Sequence, residues 1–308
     1  MQPLRRFGRN ITRTADPRRT RPGVVAATGC RYYCRMRILS RSIWVLAVLL
    51  ACAQPAAHAE TLLFVHGHLG GAQNWRSTGI TARVAAAGWH DAGTLSLRSG
   101  RITHRGAHGS AAQRFFTLQL DGQTELQRQA ASLSRYVAWV RARYPRTPVI
   151  LIGHSAGGLV ARLYMVQNPA ANVAALITIA TPHLGTPFAQ VGELVERTPL
   201  MWLAPLMGVT ELRGALGLYR DLAVEQPGNF LYALNRRPHP PARYISVVRE
   251  AAASGPVGDL LVPVWSQDMR SVEALRGQAR TLRNTGTHAL SATDGPVLIR
   301  LLQWLQQA

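Results

Sequence analysis

Pro148-Val149-Ile150-Leu151-Ile152-Gly153-His154-Ser155-Ala156-Gly157 is the stretch on which the fold turns. An unbroken apolar run closed by a glycine has the length and composition of a buried strand, and residues 158–165 carry on with the composition of a helix. Between them, the pattern G-x-S-x-G puts a serine on a sharp strand-to-helix turn. There the hydroxyl stands clear of the backbone and is available as a nucleophile. Small residues flank Ser155 where the turn is tightest. A glycine-rich connection whose serine only caps the helix would carry the same five residues. The context on both sides favours the nucleophile.

Outward from this stretch, apolar runs alternate with helical periodicity. Strands are expected at 61–66, 93–97, 148–153, 174–180 and 242–248, with a weaker one at 280–283. Helices are expected at 74–87, at 123–143, after Ser155, and at 297–306, where Leu298, Leu301, Leu302 and Leu305 form a buried stripe. Residues 99–116, with Gly100, Gly106 and Gly109, read as a polar loop. Repeated strand–helix alternation implies a mostly parallel sheet with helices on both faces, an α/β fold. Between 188 and 237 the pattern breaks into an apolar, helix-prone insertion. It reads as a helical cap or lid over the site, with Trp202, Leu203, Leu206 and Met207 as candidate substrate contacts; ordinary packing helices are the competing account.

The first 59 residues differ from the rest. Residues 1–35 are rich in arginine and lack apolar periodicity, so they read as disordered or as an over-extended reading frame. Residues 36–59 have the parts of a secretory signal peptide: Arg37 and Arg41, an apolar run from Ile43 to Ala51, and Ala57-His58-Ala59 as a small-x-small cleavage site. The run is shorter than the roughly 20 residues that span a bilayer. Secretion or periplasmic export follows. The alternative is a lipoprotein anchored through Cys52, since Leu49-Leu50-Ala51-Cys52 resembles a lipobox. All three cysteines, Cys30, Cys34 and Cys52, precede Glu60, so residues 60–308 cannot form an internal disulfide, and no metal-ligand spacing accompanies them. The net charge is +20, but residues 1–59 supply eleven arginines and one acid; the remaining 24 basic and 14 acidic residues give +10. The basic residues are all arginine, scattered, and without aromatic interleaving, which argues against specific nucleic-acid binding. Association with a membrane surface stays open. Residues 60–308 fit one α/β domain.

Four segments occur in a telling order: Leu63-Phe64-Val65-His66-Gly67-His68-Leu69-Gly70-Gly71, the Gly153–Gly157 elbow, Ala180-Thr181-Pro182-His183-Leu184-Gly185-Thr186-Pro187, and Gly258-Asp259-Leu260-Leu261-Val262-Pro263. Together they resemble a bacterial secreted lipase or esterase of the α/β-hydrolase superfamily, over nearly all of residues 61–308. From Glu60 the sequence begins almost directly at the His-Gly strand, so the superfamily's two leading strands are expected to be missing; this resembles the minimal lipases, with a sheet of about six strands. A serine hydroxyl needs a base within hydrogen-bond reach, and the superfamily order is serine, acid, histidine. His288, on a loop before the last helix, is therefore the expected base. Asp259 is the expected acid, with Glu250 and Asp268 as alternatives, while Asp294 would cap the last helix. His66, His154 and His183 are expected to pack or hydrogen-bond locally. By resemblance, the backbone N–H groups of His68 and Ala156 form the oxyanion hole. The implied protein is a serine carboxylic ester hydrolase of the lipase or carboxylesterase type, working without a cofactor or metal on an ester or lipid substrate. An acyltransferase or membrane-lipid deacylase with the same triad, and a non-catalytic lipid-binding module, are the alternatives.

Overall fold

Leu62, Leu63, Phe64 and Val65 have no solvent exposure, the pattern of a strand covered by helices on both sides. They belong to β1 (Glu60–Val65) of the computed structural model, which describes residues 59–189 except 108, 110 and 146, together with 212–250 and 259–307. The leader expected at 1–35, the signal peptide expected at 36–59 (Ala59 apart), and the four candidate cap contacts Trp202, Leu203, Leu206 and Met207 lie outside the described residues.

Seven further strands complete one sheet: β2 (His90–Arg98), β3 (Arg101–Arg105), β4 (Gln113–Gln119), β5 (Val149–His154), β6 (Val173–Ile179), β7 (Arg243–Glu250) and β8 (Ala279–Thr285). Their order is β3-β2-β4-β1-β5-β6-β7-β8. Every pairing is parallel except β2 with β3. One face carries α3 (Leu126–Arg143), α4 (Ala156–Gln167), α5 (Leu212–Leu222) and α6 (Phe230–Arg236), packed on Leu63, Val65, Phe116 and Leu118. The other face carries α1 (Ala72–Ser77), α2 (Ile80–Ala86) and α8 (Asp294–Gln307), packed on Leu62, Phe64, Phe115, Ile150 and Ile152. A short α7 (Val264–Gln267) follows Pro263.

The sheet has eight strands, two more than the six expected. Both extra strands come from 99–116 and its border, read in sequence as a loop. β3 alternates exposed Arg101, Thr103 and Arg105 with half-buried Ile102 and His104, so it carries no apolar run. β4 is central and buried, but its Phe115-Phe116 core is short and flanked by polar residues. The sheet edge beyond β4 is thus built by β2 and β3, strands that follow β1 in the chain. The helix expected at 74–87 is two helices, because Gly79 takes a left-handed φ of +76° between them. Of the expected cap, α5 and α6 bury Leu218, Leu222, Leu231 and Leu234 in the main core.

Candidate active site

The segments singled out in sequence leave the carboxyl ends of β1, β5, β6, β7 and β8, on one edge of the sheet, the edge where open α/β sheets place their ligand crevices. Ser155 connects β5 to α4 with φ 53° and ψ −132°. A left-handed φ at a non-glycine residue is strained and persists only where surrounding structure enforces it. Here the crossing is tight: a Cβ added at Gly67 would come within 2.7 Å of Ser155 Cβ. A glycine at 67 lets the loop after β1 lie directly against the nucleophile candidate.

The three side chains proposed from sequence meet. Ser155 Oγ–H donates to His288 Nε2 over 2.8 Å, and His288 Nδ1–H donates to Asp259 Oδ2 over 2.7 Å. With Nδ1 donating to a carboxylate, Nε2 is left as the acceptor that a serine hydroxyl needs. The Asp259 side chain has no solvent exposure, and that of His288 retains 18 %. Asp259 is fully hydrogen-bonded. Its Oδ1 accepts from Leu261 N–H (2.9 Å) and Val262 N–H (2.8 Å), while its Oδ2 also accepts from Gln267 Nε2 (3.2 Å). A buried carboxylate with this many donors stays put and stays satisfied. The alternative acids are occupied elsewhere. Glu250 pairs with Arg283, and Asp268 with Arg270 (2.7 Å) and Thr281 (2.6 Å). Asp294 does accept the Ser291 N–H at the head of α8 (2.8 Å), as a cap would. It also forms a buried ion pair with Arg249 (2.7 Å) that the sequence did not suggest.

Three further residues hold this geometry and were not assigned roles from sequence. Gln267 is buried; besides Asp259, its Nε2 donates to Val262 O (2.7 Å), and its Oε1 accepts from Arg249 N–H (2.7 Å). His154 does not bond locally as expected: its Nε2–H donates to the carbonyl of His288, 134 residues away, over 2.8 Å. Burial pushes the His154 pKa down to about 3, so the ring stays neutral between Trp75 and His288. Tyr219 on α5 donates its O–H to His68 Nε2 (3.2 Å), while His68 Nδ1–H donates to Gly122 O (3.0 Å). The His68 side chain therefore braces its own loop. A glutamine eight residues after an acid, or a tyrosine on a distant helix, leaves no sequence pattern. The only available signal was His154, as the variable residue of the elbow.

His183 bonds locally as expected, and His66 does so on one ring nitrogen only. His66 is buried, donating from Nδ1 to Gly67 O (2.9 Å) and accepting the Leu120 N–H at Nε2 (3.0 Å). Burial lowers its pKa, against those two hydrogen bonds. His183 lies within hydrogen-bond distance of Thr178 Oγ1 (3.0 Å). For the expected oxyanion donors, the His68 N–H has no acceptor among the described residues. Ala156 is the first residue of α4, so its N–H has no intrahelical acceptor either. Among the described residues, no group of three His, Cys, Asp or Glu side chains is placed to hold a metal ion.

Exposed apolar side chains stand on the loops that carry this site: Leu69 on the loop after β1, Phe188 after β6, and Leu260, Leu261, Val264 and Trp265 in the segment that holds Asp259. Among the described residues no helix is long and apolar enough to cross a membrane.

Sheet order, helices on both faces and a serine elbow at the carboxyl edge define an α/β-hydrolase fold. The chain belongs to the PGAP1-like alpha/beta domain family, whose profile matches residues 57–225. It is 27 % identical over 184 residues to a GPI inositol-deacylase of Candida albicans, an alignment covering 58 % of this chain and 41 % of that protein. The chain thus spans less than half the length of this curated relative. Among solved structures, the lin2722 gene product of Listeria innocua superposes with a TM-score of 0.53 at 16 % identity, over 80 % of this chain and 93 % of the other. A Bacillus licheniformis lipase in propeptide form gives 0.49 at 17 % identity, over 81 % and 51 %.

Proposed function

We propose that the protein is a serine carboxylic ester hydrolase that deacylates a membrane lipid. The hydrogen-bond chain Asp259–His288–Ser155 carries this reading. His288 Nε2 takes the Ser155 proton as Oγ attacks the acyl carbonyl, and the Asp259 carboxylate stabilises the imidazolium that results. The His68 and Ala156 N–H groups receive the developing oxyanion; one such donor is worth roughly 10²–10³ in rate. His288 then returns the proton to the leaving alcohol oxygen. Water, deprotonated by the same ring, releases the acyl group and restores Ser155. The exposed apolar side chains on the site's loops support a lipid over a small soluble ester, because patches of that kind mark lipid or partner surfaces. The deacylase named for the Candida albicans relative is in keeping with this substrate class.

Hydrolysis of an aryl-ester series of increasing acyl length, by the protein and by Ser155→Ala, tests the reading. Turnover is expected to rise with chain length and to fall in the variant by at least about 10⁴-fold. Equal turnover by both proteins removes the nucleophile, and a preference for chains of two to four carbons removes the lipid. The segment 36–59 is read as an export signal, so sequencing of the exported protein is expected to begin at Glu60; lipid on Cys52 would replace secretion by anchoring.

A further inference from the structure

The Ala180–Pro187 segment carries none of the side chains placed in the reaction, although it is one of the four stretches that stand out in the sequence. In the folded chain it leaves β6 and is clasped to the segment that bears Asp259. Its main chain pairs with Ser266 of α7. The His183 N–H donates to Ser266 O over 2.7 Å, the Leu184 N–H donates to Ser266 Oγ over 3.2 Å, and the Ser266 hydroxyl donates to Gly185 O. Gly185 takes a left-handed φ of +84°, and a Cβ there would collide with Ala223 O, so the turn requires glycine.

The next residue, Thr186, is buried, and its N–H donates to Leu222 O over 2.9 Å. Its hydroxyl donates to Leu261 O, and the same oxygen accepts the Phe188 N–H over 3.2 Å. The Leu261 carbonyl and the Val262 N–H are the two ends of one peptide group, and that N–H donates to Asp259 Oδ1 over 2.8 Å. A peptide group is planar and stiff, so a hydroxyl that holds its oxygen also aims its N–H. A hydrogen bond to the oxygen further polarises the group and strengthens the donor at its other end. Asp259 Oδ2 in turn accepts the His288 Nδ1–H. One peptide and one carboxylate separate Thr186 from the imidazole.

We infer that Thr186 is a positioning residue for the acid of the triad: its hydroxyl sets the Leu261–Val262 peptide that orients Asp259 toward His288. The inference rests on the ester-hydrolase reading and gives the Ala180–Pro187 segment its part in it. The Ser266 contacts serve the same end. They hold the segment to α7, whose last residue, Gln267, donates to the other carboxylate oxygen.

Thr186→Val keeps the shape of the side chain and removes the donor to Leu261 O. The test follows para-nitrophenyl octanoate hydrolysis by wild type, Thr186→Val, Asp259→Ala and the double variant. Thr186→Val is expected to lower kcat about tenfold and to leave KM within about twofold of wild type. In the Asp259→Ala background the same substitution is expected to change kcat by less than about twofold, because the carboxylate it acts through is gone. Thr186→Ser keeps the hydroxyl and is expected to hold kcat within about threefold of wild type. Equal fold-losses in both backgrounds make Thr186 a merely structural residue and overturn the inference, as does full kcat in Thr186→Val. Should Thr186→Val show no thermal unfolding transition, Thr186→Ala passes through the same cycle under the same criteria. Full turnover by Asp259→Ala removes the acid and the hydrolase reading with it; a large loss there beside none in Thr186→Val removes the inference alone.

Discussion

Gln267 and His154 secure, from behind, the two groups that must face Ser155. One holds the Asp259 carboxylate and the other holds the His288 main chain. Replacing Gln267 by alanine removes the donor to Asp259 Oδ2 and to Val262 O at once. Gln267→Ala is expected to lower kcat about tenfold and leave KM on the same aryl ester little changed, so steady-state kinetics separates positioning from a loosened binding site. At this scale the sequence was legible where chemistry is confined to a short motif. Ser155 could be read from its motif, and His288, the one histidine after His239, once the resemblance placed the base late in the chain. Asp259 could be ranked above Glu250 and Asp268 only by resemblance. What separates them physically is that the other two carboxylates are neutralised by Arg283 and Arg270, and those pairings exist only in the folded chain.

Two elements are attached by charged groups whose environment sets their strength. α8 is pinned to the end of β7 by the fully buried Arg249–Asp294 pair. Removing one partner of a buried pair strands the other charge, so Asp294→Ala is expected to cost about 3–5 kcal/mol, read as a drop in denaturation midpoint. α5 is fastened to α3 by Asp221, whose carboxylate accepts the Leu126 N–H over 2.8 Å. Burial, with Glu125 adding to it, raises the Asp221 pKa to about 6 from an ordinary 3.8. The unfolded chain therefore ionises first, and the docking of α5 loses stability as pH rises from about 4 to about 6. Asp221→Asn keeps an acceptor without the charge. It is expected to raise Tm at pH 8 and leave Tm unchanged at pH 4, by thermal melts at both. At this scale the long amphipathic α3 and the apolar β1, β5, β6 and β7 were legible from periodicity. β3 and β4 were not, because a strand with polar flanks and only two adjacent aromatics looks like a loop until its neighbours are known.

For the whole molecule, burial of neutral histidines sets the acid limit. The pKa of His154 is lowered to about 3 and that of His239 to about 4, His183 lies well below 6.5, and His66 is lowered as well, in each case chiefly by desolvation. Below pH 6.5 the unfolded chain takes up protons that the folded chain refuses. Stability is therefore complete above that pH and falls as pH drops toward 3–4, by up to about 1.4 kcal/mol per unit for each fully buried ring. A Tm flat from pH 8 to 7 and declining steadily from 6 to 4 is the expected thermal record. A Tm unchanged down to pH 4 would mean that these rings are hydrated. By itself the sequence determined the α/β alternation and the serine elbow, since each depends on spacing within a few residues. Only the tertiary structure decided that the sheet has eight strands and which carboxylate reaches His288. Those outcomes depend on which strands lie side by side, and strand neighbours separated by dozens of residues share no local pattern that a chain could display.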